Sequence, residues 1–108
     1  MESQNRLGRW SDPSLLVLSS LAGGEKHGYA MVTDIRETTG VHLGPGTLYG
    51  ALARLEQQRL IVPLAARGRR QPYRITAAGR RALREQLTTI ETVARVGLSR
   101  LRAAGATA

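Results

Sequence analysis

The stretch GPGTLYGALARLEQQRLI, residues 44–61, decides how the chain reads. It opens on Gly44 and Pro45, and a proline without a backbone donor suits the first position of a helix. Leu48, Leu52 and Leu55 then recur at i, i+4 and i+7, lining one helical face. Thr47, Tyr49, Gly50 and Arg54 fall off that stripe. A hydroxyl and an aromatic ring near a helix start, with a guanidinium further along, form a surface built to be touched.

Downstream the period changes. Residues 60–64 favour a strand, a Gly and Arg tip follows, and residues 73–76 favour a second strand. This predicts a two-stranded hairpin turning at Gly68, with Pro63 and Pro72 keeping both strands short and edge-like. The last element predicts a long helix from a Thr76 N-cap. Leu83, Leu87, Ile90, Ala94, Gly97 and Leu101 are spaced as a heptad seam. Such a helix either covers its own core or packs on a second chain. Val93, Val96 and Leu98 widen its apolar surface beyond one stripe, which favours a second chain and a homodimer.

Upstream, Asp12 and Pro13 read as an N-cap and first-turn pair ahead of an apolar helix that ends at Gly23 and Gly24. A second helix follows between His27 and Gly40, with Tyr29, Val32 and Ile35 expected on one stripe and Met31 adjoining it. Three helices, a hairpin and a long helix make a mainly α chain with a winged helix-turn-helix arrangement. The expected boundaries are 12–76 for the winged unit and 77–103 for a dimerisation helix, with 1–9 and 104–108 flexible.

The net charge of +8 is uneven. Residues 1–64 hold six basic and six acidic side chains, whereas residues 65–108 hold ten basic and two acidic. A basic excess this local points to a polyanion, nucleic acid first. In a helix-turn-helix the recognition helix offers its N-terminal residues to base edges in the major groove. Thr47 and Tyr49 then face bases or phosphate, and Arg54 reaches phosphate. Arg67, Arg69 and Arg70 form the wing, reaching the backbone or a minor groove.

Other chemistry is thin. Without cysteine there is no disulfide, thiolate or cysteine-ligated metal. His27 and His42 have Glu25 and Glu37 nearby but no triad or metal spacing, and GTLYG lacks the ending of a P-loop. No enzyme, metal or cofactor is expected. No run reaches the ~20 apolar residues of a membrane span, so a soluble, cytoplasmic protein is expected. Trp10 reads either as a hydrophobic anchor or as a stacking platform for a flat ligand.

The segments LLVLSSLAGGEKHGYAMVTDI, LGPGTLYGALARLEQQRLI and GRRQPYRITAAGRRAL together resemble the PadR family of bacterial transcription regulators. The resemblance covers about residues 15–83. It implies a dimeric winged-helix repressor on a palindromic operator, relieved by a small-molecule inducer. It places DNA contacts at His27 and Tyr29 as well as at Thr47, Tyr49 and the wing arginines, and dimer contacts on the last helix. Gly44 stands where a serine cap is common, and Gly50 where many members carry proline. No aromatic residue follows Ala77, so a flat inducer would rest on Trp10 or aliphatic walls. Two other readings remain open: a winged-helix protein-interaction adaptor, and a small-molecule or metal sensor that binds no operator.

Overall fold

The computed structural model describes residues 11–105. Helix α1 (Pro13–Ala22) starts as its sequence dictates: the Ser14 N–H donates to Oδ1 of Asp12 at 2.9 Å, with Pro13 in the first turn. Leu16, Val17, Leu18 and Leu21 are all buried, so α1 is packed on more than one side. The Ser20 hydroxyl, also buried, donates to Oδ2 of Asp34 at 2.7 Å and ties α1 to the next helix.

A two-residue strand, β1 (Lys26–His27), precedes α2 (Gly28–Thr39). His27 caps α2, its Nδ1 accepting from the Ala30 N–H at 3.4 Å, and Gly40 closes it at φ +77°. Met31 and Ile35 are buried with Val32 packed beside them, but Tyr29 is 76% exposed and does not share their stripe. At ~100° per residue, position 29 lies roughly 140° or more from the direction midway between 31 and 35. The helical phase of α2 is set by Met31 and Ile35 rather than by the tyrosine.

Helix α3 (Pro45–Gln57) buries Leu48, Ala51, Leu52 and Leu55. Strands β2 (Ile61–Pro63) and β3 (Pro72–Ile75) form the hairpin, pairing Ile61 with Ile75, Val62 with Arg74 and Pro63 with Tyr73. Strand β2 is the expected run 60–64 shortened by one residue at each end, and β3 lies one residue earlier than the expected 73–76. The sheet has three strands rather than two, because β1 pairs antiparallel with β3 through Lys26–Tyr73 and His27–Pro72. A two-residue strand is too short to carry a readable alternation of side chains. The hairpin tip is tight. The Arg67 and Arg70 backbones exchange hydrogen bonds at 2.9 and 3.1 Å, and Gly68 takes φ +64°.

Helix α4 (Ala77–Gly105) is capped by Thr76, whose Oγ1 accepts from the Gly79 N–H at 3.0 Å. At 1.5 Å per residue it is about 43 Å long. Gly79 is buried and Leu83 is 6% exposed within the same core as α1, α2 and α3. Leu83, the first position of the expected seam, is therefore used inside its own chain. From there on α4 leaves the core: Leu87 (41%), Ile90 (38%) and Leu101 (69%) are exposed, as are Ala94 and Gly97. Residues 104 and 105 continue the helix beyond the expected boundary at 103. Trp10 and the segments 1–9 and 106–108 lie outside the described residues.

Candidate nucleic-acid interface

The start of α3 has no side-chain cap, since Gly44 offers none. Its first N–H groups have no partner within the helix, which leaves a partial positive charge open to phosphate. Two clusters flank it. On one side Gly46, Thr47, Gly50 and Arg54 line a shallow depression with Asp12 and Pro13. Residues 47, 50 and 54 share a helical face, and Arg54 Nη2 donates to Ser14 Oγ at 3.4 Å, which steadies the guanidinium at the surface.

Tyr49 occupies the other side. It is 61% exposed, and its hydroxyl lies 3.8 Å from the position a Cβ on Gly28 would take, at the start of α2. Tyr49 and Thr47 are thus on different flanks of α3, so the two do not address the same group. Tyr73 of β3 lies nearby. Its phenol is held above the ordinary tyrosine range, first by burial and then by the negative field of Glu56 and Tyr49.

The wing leans back on β1. Arg67 Nη2 meets Oε1 of Glu25 at 3.3 Å, and Arg70 Nη1 lies 3.4 Å from Nε2 of His27. The first is an exposed pair, a type worth roughly 0–1 kcal/mol. The second is weaker than it looks. Because His27 Nδ1 accepts from Ala30, the proton of the neutral ring sits on Nε2 and faces another donor. Arg69 is exposed at the turn. Arg67, Arg69 and Arg70 are therefore loosely held and free to exchange their partners for phosphate oxygens. Tyr29 is exposed on the same edge and lines a depression with His27, Arg70, Thr33, Asp34 and Glu37.

The structure thus gathers His27, Tyr29, Tyr49 and Arg70 around the start of α2 and the wing, while Thr47 and Arg54 stand across α3 beside the start of α1. Glu25 and Ser14, which hold two of the guanidinium groups, are announced by no spacing in the sequence. Each lies about forty residues from its partner. Among the described residues no group of three or more histidine and carboxylate side chains is placed to hold a metal, and no helix is long and apolar enough to cross a membrane.

Comparison with known proteins gives a consistent picture. The model of the transcriptional regulator PadR-like family matches residues 17–85. A transcriptional regulator of Mycobacterium tuberculosis, Rv3488, is 42% identical over 84 residues, covering 75% of this chain and 78% of its own. An uncharacterized 37.1 kDa protein in transposon TN4556 of Streptomyces fradiae is 49% identical over 78 residues, 72% of this chain. The matched region spans only 23% of that longer protein. Among solved structures, a PadR family transcriptional regulator from Eggerthella lenta aligns with a TM-score of 0.75 at 31% identity, covering 93% of this chain and 89% of its own. A PadR family regulator from Clostridium difficile aligns at 0.74 with 26% identity, covering 82% and 97%.

Proposed function

The chain belongs to the PadR-like family of transcriptional regulators, and from that premise we propose that it acts in the cytoplasm as a homodimeric repressor on a palindromic operator. Members of this family are regulators of transcription rather than enzymes, and they generally bind DNA. The observation that carries the proposal is the uncapped start of α3, with Thr47 and Tyr49 exposed on it and three loosely held wing arginines beside it. Two copies of α3 enter successive major grooves about 34 Å apart. Thr47 and Tyr49 meet bases or backbone there, and Arg54 meets phosphate. Arg67, Arg69 and Arg70 grip the flanking backbone or minor groove, and His27 and Tyr29 meet phosphate at the edge of α2.

The apolar stretch of α4 beyond the core supports the dimer. Leu87, Ile90 and Leu101 keep the heptad spacing and are exposed, with Ala94 and Gly97 between them allowing close approach of a partner helix. An inducer seated between the subunits would change the spacing or angle of the two α3 helices and lower operator affinity. Trp10 is proposed to contribute to that site.

A fluorescence-anisotropy titration with the DNA upstream of the protein's own gene, across a salt series and against scrambled competitor, tests the proposal. Specific binding with a steep salt slope is expected. Replacing Arg69 and Arg70 by Ala should lower affinity and slope together. Binding that scrambled DNA displaces equally, with the double variant unchanged, would return the chain to the adaptor or sensor readings.

A further inference from the structure

The end of recognition helix α3 and the start of long helix α4 meet at Thr76. Helix α3 ends in a complete Schellman turn: the Arg59 N–H donates to the Glu56 carbonyl at 3.0 Å and the Leu60 N–H to the Leu55 carbonyl at 2.9 Å. The left-handed position of that turn, commonly glycine, is Arg59 at φ +62°. Two carbonyls at this turn, those of Arg59 and Leu60, point to Thr76. The Thr76 hydroxyl donates to Arg59 O at 2.8 Å, and its N–H donates to Leu60 O at 3.0 Å. On its other side the same residue starts α4. Its Oγ1 accepts from the Gly79 N–H at 3.0 Å and its carbonyl from the Arg80 N–H at 2.9 Å.

Every polar group of Thr76 is thus engaged, half with the end of α3 and half with the beginning of α4. The fit is close on both sides. A Cβ built on Gly79 would come within 2.1 Å of Leu60 O, so the first turn of α4 rests directly on the turn that ends α3. Beyond this joint, α4 meets the rest of the winged unit chiefly through α1.

We propose that Thr76 is a positioning residue that fixes the direction of α4 relative to α3, and thereby sets which half-site spacing the protein accepts. The inference rests on the dimeric, operator-binding reading above. If two α4 helices form the dimer core, each α3 is carried at the end of an α4 lever. The angle at the joint then decides how far apart, and how rotated, the two recognition helices stand. A rigid joint selects one spacing. A loose joint tolerates several.

Operator half-sites are first selected from random duplexes with the wild-type protein. Palindromes are then built with the spacing altered one base pair at a time, each step turning one half-site by about 36° around the duplex. Thr76→Asp keeps an acceptor for the Gly79 N–H, so α4 stays capped, but it cannot donate to Arg59 O. Thr76→Ser keeps both bonds. Folding of each variant is checked by circular dichroism and thermal melting. Wild type and Thr76→Ser should lose roughly tenfold or more in affinity per base pair of misplacement, within the range of a lost specific contact. Thr76→Asp should bind its best duplex more weakly while its loss across spacings flattens to about threefold or less. A Thr76→Asp profile with wild-type selectivity, merely lowered by one factor at every spacing, overturns the assignment and leaves the dimer reading intact. A wild-type protein that selects no paired half-sites overturns the dimer reading and the assignment with it.

Discussion

Gly79→Ala is expected to be severe, although in an ordinary helix interior the same change is favourable. The added methyl carbon would sit 2.1 Å from Leu60 O and 2.8 Å from Ile75 Cγ1. Neither neighbour can yield easily, because Leu60 O accepts from the Thr76 N–H and Ile75 is buried in the core. Relief requires α4 to lift by about 1 Å, which stretches the two bonds from Thr76 to the end of α3. Each such bond is worth about 1 kcal/mol net, and overpacking at a buried contact costs about 1–3 kcal/mol. Helix propensity returns about 1 kcal/mol. The net loss is about 2–4 kcal/mol, a large share of the ~5–15 kcal/mol by which a domain is stable. Urea denaturation reads this directly. With an m-value of about 2 kcal/mol/M the midpoint should fall by roughly 1–2 M. Gly50→Ala is the control: its Cβ meets only Arg54 Nη1 at 3.6 Å, so it should gain up to about 1 kcal/mol. A Gly79→Ala midpoint equal to or above that of Gly50→Ala would refute the close-approach argument.

Leu83→Ala should destabilise the fold by about 2–5 kcal/mol, whereas Leu87→Glu with Ile90→Glu should leave the winged unit folded and give a monomer by sedimentation equilibrium. A folded double variant that remains dimeric removes α4 from the interface. Arg59→Gly should raise stability by about 1 kcal/mol, since the left-handed backbone there costs an L residue that much, and an unchanged melting curve would refute it. Tyr73, with its folded-state pKa raised, contributes stability that is fully present below the unfolded value of about 10 and is lost as pH rises through the higher folded value. Comparing urea midpoints of wild type and Tyr73→Phe above pH ~10 should show a steeper alkaline fall for wild type.

What the sequence made legible follows from the range over which each signal acts. The N-cap at Asp12, the proline at the start of α3, the Leu48–Leu52–Leu55 stripe and the Thr76 cap are local patterns, and each appears in the structure as expected. The second helix is legible but the face of its tyrosine is not, because near a helix start one aromatic residue can fit more than one phase of a short stripe. Strand β1 is not legible because its pairing with β3 is a contact between residues some forty-five positions apart, with only two residues to show for it. The candidate interface was legible as residue types on a predicted scaffold. Its internal order was not: the separation of Thr47 from Tyr49, and the holding of Arg67 by Glu25 and of Arg54 by Ser14, depend on how helices cross. Leu83, the first position of the heptad spacing, is buried in its own chain's core, and spacing alone does not show where a helix stops serving that core.

The charge distribution allows a sharper conclusion than the net value. Of the ten basic residues after position 64, only Arg67, Arg69, Arg70 and Arg74 lie on the hairpin, and Arg80, Arg81, Arg84, Arg95, Arg100 and Arg102 ride on α4. The local excess that pointed to a polyanion is therefore divided between the wing and a helix proposed to face a second copy. Salt dependence separates the two contributions, because each phosphate neutralised adds about 0.9 to the slope of log K against log salt. Docking through Arg54, Arg67, Arg69 and Arg70 gives a slope of about −7 for a dimer. Engagement of the α4 arginines as well would carry it to about −18. A value near the first confines DNA to the recognition helix and wing, and leaves the α4 charges to long-range attraction, where they raise the association rate without choosing the site.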